Sequence, residues 1–107
     1  MTKYFTKNYR RNRKVSSADV IIDRAGFGEE EYIKNYGESS LPSNGLERDS
    51  LILRLKLSDF SVTLINLNGD SIQRIKEELK IDDSKKLKGI ELKALIQEDR
   101  VVGINKE

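Results

Sequence analysis

Residues 51–67, LILRLKLSDFSVTLINL, decide the fold class. Leu51, Leu53, Leu55 and Leu57 alternate with Ile52, Arg54 and Lys56, a period of two that lays the leucines on one buried face and both cations on the other. Ser58-Asp59 permits a tight reversal, after which Phe60, Val62 and Leu64 alternate with Ser61, Thr63 and Ile65. Two alternating runs around a short polar turn predict an antiparallel hairpin with Phe60 in its core.

Downstream, Asn68-Gly69 ends the second run, and Asp70 with Gln73 three residues later has the spacing of a helix capping box. Ile72, Ile75 and Leu79 then share one helical face, and Asp82-Asp83 closes the helix. Gly89 leads a strand in which Ile90, Leu92 and Ala94 alternate with Glu91, Lys93 and Leu95. Gln97-Glu98-Asp99 is a turn-sized break, and 100–104 supplies a last strand interrupted by Gly103.

Upstream, Val20, Ile21 and Ile22 between Asp19 and Asp23 predict a first strand over 18–24. From 25 to 49 the chain carries Gly26, Gly28, Gly37, Gly45 and its only proline, Pro42, the composition of a long connection. A connection of this length is either a binding loop or disordered, and the island 29–36 inside it fits a helical turn or a short strand equally.

The body is thus strand, long connection, strand, strand, helix, strand, strand. This is the element order of the OB-fold, a mainly β, partly open five-stranded barrel with one helix, used widely to bind oligonucleotides. A small antiparallel α+β sheet with one packed helix, or another five-stranded barrel, has the same elements.

The first fourteen residues contrast with this body. Lys3, Lys7, Arg10, Arg11, Arg13 and Lys14 are six basic groups with no acid, and Tyr4, Phe5 and Tyr9 lie among them. Removing them from 20 Lys and Arg leaves fourteen against 18 Asp and Glu, so the remainder carries a formal −4 beneath a whole-chain +2. With no apolar period, residues 1–16 read as a flexible basic arm on a single β-rich domain, 17–107.

At 107 residues, with 36% hydrophobic and 36% charged residues, the chain suits one domain with a small core. No cysteine means no disulfide and no thiolate metal site. Aliphatic runs reach only three residues, against about 20 for a bilayer span, and no apolar segment follows the basic start as a secretory signal requires. A cytoplasmic protein with no membrane role is expected.

The run from Val62 to Ile104 resembles small, uncharacterised phage and mobile-element proteins. In them a strand ends in Leu-Asn, a short helix follows, then an Asp-Asp turn and a glycine-led strand. Here those features are Leu67-Asn68, Ile72 to Leu79, Asp82-Asp83 and Gly89, with Gly103-Ile104 near the end. They cover about 40% of the chain, and Leu87 stands where the family often has an aromatic. The resemblance implies a mobile-element origin and no particular activity.

Basic residues interleaved with aromatics suit nucleic acid, since arginine grips phosphate oxygens and rings stack on unpaired bases. The expected contacts are Lys3, Tyr4, Lys7, Tyr9, Arg10, Arg11, Arg13 and Lys14, with Arg54 and Lys56 on the strand pair that forms the OB ligand face. The plainer readings are a solubilising terminus and strand charges that discourage edge pairing.

Gly26-Phe27-Gly28 lacks the context of a phosphate loop, and Glu29-Glu30-Glu31 and Asp82-Asp83 match no metal-binding loop. With no histidine and no cysteine, no catalytic residue, cofactor or metal is expected, and the chain is read as a non-enzyme. Two functions are carried forward. One is a small nucleic-acid-binding protein, for single-stranded DNA, of a phage or other mobile element. The other is a protein-binding module, a host-directed inhibitor or adaptor using the acidic body or an exposed strand edge.

Overall fold

A computed structural model describes residues 2–41 and 49–106. Among these residues, six antiparallel strands form one sheet, curled into a half-barrel, with two α-helices. The elements are β1 (Thr2–Phe5), β2 (Ser16–Phe27), α1 (Glu29–Tyr36), β3 (Leu51–Leu57), β4 (Val62–Leu67), α2 (Asp70–Leu79), β5 (Glu91–Gln97) and β6 (Arg100–Lys106), with 3-10 turns at Glu38–Ser40 and Ser84–Leu87. Across the sheet the order is β1-β6-β5-β2-β3-β4. Mainly β architecture is as expected; six strands and two helices replace five and one.

The expected hairpin is present, and the leucine alternation drives it. Leu51, Leu53 and Leu55 are fully buried and pair with Leu67, Ile65 and Thr63 of β4. The second strand, however, shows its other face. A two-residue reversal would set Leu57 opposite Phe60, but the Leu57 N–H donates to the Ser61 carbonyl and the loop takes three residues, Ser58 to Phe60. One residue of slip exchanges the faces of a strand. Ile65 and Leu67 therefore enter the core, while Val62 is 51% exposed and Phe60, expected inside, is 78% exposed.

β2 is the backbone of the sheet. Its first half pairs with β5 and its second with β3, and a bulge between Ile22 and Arg24 lets one strand serve both. The core gathers Val20, Ile22 and Ala25 from β2, the β3 leucines, Leu92 and Ala94 of β5, Ile104 of β6 and Leu87, with Ile75 of α2. Ile72 and Leu79 pack alongside it, as their helical spacing requires. The capping box does not form. Asn68 Oδ1 accepts the Asp70 N–H at 3.0 Å, and Gln73 reaches forward to Glu77 instead.

Two expectations for less regular segments change. Residues 2–5, placed in the flexible arm, form β1 at the sheet edge against β6. Gly103 makes this possible, because a Cβ there would lie 2.4 Å from the Tyr4 carbonyl oxygen. The long connection 25–49 begins within β2 and then becomes α1, whose Tyr32 sits fully buried on Gly26, where a Cβ would meet the Tyr32 Cβ at 2.6 Å. Residues 42–48, including Pro42 and Gly45, lie outside the described residues.

Candidate nucleic-acid interface

Strand registers bring three segments to one end of the half-barrel. β2 begins at Ser16 beside Ile96, β6 begins at Arg100 beside Gln97, and β3 ends at Leu57 beside Val20. The loop 6–15, the β3–β4 tip 58–61 and the β5–β6 turn Glu98-Asp99 therefore share this open end. Glu98 and Asp99 both have positive φ (51° and 62°), the two-residue hairpin geometry that matches strand twist.

The loop 6–15 is folded rather than arm-like. Its two tight turns are closed by Tyr9 N–H to the Thr6 carbonyl and Arg13 N–H to the Arg10 carbonyl, each 3.3 Å. Gln97, only 4% exposed, fastens it: its Oε1 accepts the Arg10 N–H at 2.9 Å, and its Nε2 donates to the carbonyls of Arg10 (2.7 Å) and Arg13 (3.1 Å). With the backbone held by Gln97, Lys7, Arg10, Arg11, Arg13 and Lys14 are all exposed. Arg13 also meets Glu98 at 3.6 Å, an exposed pair worth little. The Tyr9 ring stacks on Phe5, centroids 4.0 Å apart.

Phe60 is the residue that sequence reasoning missed. It occupies the left-handed region (φ 68°) at the hairpin tip, and Lys56 Nζ lies 5.3 Å from its ring centroid. Asp59 holds the tip by accepting the Ser61 N–H (3.0 Å) and hydroxyl (2.5 Å), bonds that keep its carboxyl below the ordinary range. Ile21, 42% exposed, and Val62 extend an apolar outer face beside this tip. The only sequence signal was the Ser-Asp-Phe-Ser turn chemistry, and it did not fix the loop length.

A cleft of about 650 Å³ opens at the same end. Its walls are β4 on one side and Thr6–Asn8 with Asp99–Val101 on the other.

Other expected contacts are elsewhere. Tyr4 is 1% exposed and belongs to the core; its hydroxyl donates to Glu78 Oε2 at 2.5 Å, and burial, then that bond, pushes its pKa well above the ordinary value. Lys3 is on β1, its carbonyl accepting from Arg74. Arg54 is half-buried and paired with Asp23, the bulge residue of β2. Of the strand cations, Lys56 alone stays at the open end.

Among the described residues, no three acidic side chains come together as a metal site, and no helix is long and apolar enough to cross a membrane. Comparison with protein-family models, curated proteins and solved structures finds no match to this chain.

Proposed function

We propose that this chain is a small OB-like protein that binds single-stranded nucleic acid, DNA in the first instance, across the open end of its half-barrel. The observation that carries the reading is that five exposed cations on a fastened loop share this end of the sheet with an exposed aromatic, Phe60, which lies beside Lys56. Phosphates supply non-specific affinity to such cations, and a base stacked on the ring adds about 1–3 kcal/mol.

Strand order supports the OB-like part of the reading. With β1 set aside, a long bent first strand pairs with the second and fourth, the third pairs with the second, the fifth with the fourth, and α2 lies between the third and fourth. OB barrels bind on the face of their second and third strands, here β3 and β4, the strands that carry Lys56 and flank Phe60. β1, paired to β6, is the departure from the five-stranded pattern.

The reading assigns binding and no reaction, and a cytoplasmic setting. The resemblance across 62–104 supports an origin in a phage or other mobile element. Fluorescence anisotropy with a labelled oligo-dT strand and a duplex tests it. Phe60→Ala should weaken single-strand binding by roughly tenfold and leave duplex binding nearly unchanged, because a paired base cannot stack on the ring. Equal loss on both substrates would remove the single-strand reading, and no binding of either at low salt would remove nucleic acid altogether.

A further inference from the structure

We propose that the recess beside Phe60 takes one guanine of the bound strand, read by the Glu91 carboxylate. The proposal rests on the single-strand reading above and adds a base preference to it. Strand register builds the recess. Ile21 of β2 lies opposite Lys56 of β3 on one side and opposite Glu91 of β5 on the other, so these three side chains stand in one row on the outer face of the sheet. β3 ends at Leu57 beside Val20, and the chain reverses through Ser58 to Phe60. The row, the Phe60 ring and Asp19 then bound a hollow of about 460 Å³.

Each member of the hollow offers a nucleotide something different. Ile21 is an exposed apolar floor, and the Phe60 ring is a surface on which a base can stack. Lys56, whose Nζ lies 5.3 Å from the centre of that ring, supplies a positive charge for the phosphate. Glu91 is the group that such a site does not need for affinity. Asp19, the other carboxylate there, is held by Lys93, whereas among the described residues Glu91 has no hydrogen-bond or ion-pair partner. A bare carboxylate repels phosphates, so a strand binds here best when its base brings donors to Glu91.

The pattern of donors selects the base. An ionised carboxylate only accepts hydrogen bonds, through two oxygens. Guanine alone sets two donors side by side on one edge, its N1–H and its N2 amine, and so meets both oxygens in a charge-assisted pair. Thymine carries its one N–H between two carbonyls. The amines of cytosine and adenine each sit next to a ring nitrogen that accepts. Each of these three bases therefore turns an acceptor toward the second carboxylate oxygen, and only guanine gains from both.

The test is fluorescence anisotropy of the full chain with three labelled strands: oligo-dT, the same strand with one central guanine, and the same strand with inosine there, which lacks the N2 amine. The wild-type chain should bind the guanine strand about tenfold more tightly than oligo-dT, and inosine should lose most of that gain. Glu91→Gln, a change at an exposed residue, keeps one accepting oxygen and should cut the guanine preference to about twofold or less. Removing a negative charge strengthens the binding of every strand alike, so the ratio between strands is the readout. Equal binding of the three strands by the wild-type chain would overturn the guanine assignment and leave single-strand binding standing. So would inosine as tight as guanine, or a guanine preference that Glu91→Gln leaves unchanged. Binding of no strand at low salt would overturn the single-strand reading, and this one with it.

Discussion

The two ends of the half-barrel use the same residue types to opposite effect. At the end covered by α2, Arg74 lies 4.6 Å from the ring of Tyr4 and Lys76 5.0 Å from that of Phe27, so each cation is spent on an aromatic of the fold itself. At the open end Lys56 pairs with Phe60, but that ring is 78% exposed, and the loop cations at the same end are exposed. Basic and aromatic residues in one sequence window therefore do not locate a binding surface. Tyr4 and Tyr9 are five residues apart, yet Tyr4 is core and Tyr9 is a half-buried ring stacked on Phe5.

The sharpest way to break this contrast is to truncate one apolar residue at each place. Leu55→Ala should cost about 2–5 kcal/mol in chemical denaturation, because the site is fully buried between strands. Phe60→Ala should leave stability within about 0.5 kcal/mol, as an exposed substitution does. Comparable losses would mean that Phe60 packs inward and that the hairpin loop has two residues rather than three.

Tyr4→Phe sharpens the account of the covered end. Removing the hydroxyl leaves Glu78 without its donor and should cost about 1–3 kcal/mol near neutral pH. The folded-state pKa of Tyr4 is raised above its ordinary 10.0, so its contribution is full below pH 10.0 and is lost as pH rises through the higher folded value. Wild-type stability should therefore fall more steeply than that of Tyr4→Phe above that pH. Parallel curves would show that Tyr4 is not buried.

Gln97→Ala probes the fastening of the basic loop. Three hydrogen bonds are lost, about 1 kcal/mol each at most since the freed backbone groups can reach water. Trypsin cleavage after Arg10, Arg11, Arg13 or Lys14 should accelerate while the salt slope of oligonucleotide binding holds, because no charge has been removed. Unchanged cleavage would show that the loop does not depend on Gln97. Glu98→Ala is the smallest change, expected within about 0.5 kcal/mol because its pair with Arg13 is exposed.

Legibility in the sequence followed how local the determining physics is. The β3 leucines and the Ile72-Ile75-Leu79 face announce themselves because periodicity and burial coincide. The face of β4 was hidden because the loop places a phenylalanine, not a glycine or asparagine, at a positive-φ position, so nothing in the residue types separates two loop residues from three. β1 is four residues long and owes its place to a glycine 99 positions later that lets Tyr4 approach. Of the candidate site, the five loop cations were readable from charge alone; that Phe60 is exposed at the same end of the sheet was not. The Gln97 bonds span 84 and 87 positions, beyond any local pattern.

The central claim is that position at the open end, not net charge, makes the binding surface. The most direct measurement compares two variants that each remove three exposed cations: Arg10, Arg11 and Arg13 to Ser, and Lys85, Lys86 and Lys88 to Ser between α2 and β5. Oligo-dT anisotropy would be followed across salt. Five phosphate contacts give a wild-type slope near about −3.5, and the first variant should flatten it by about two while the second leaves it almost unchanged. Equal weakening and equal slopes in the two variants would contradict the account, since binding would then follow total charge and the open end would have no special part in it.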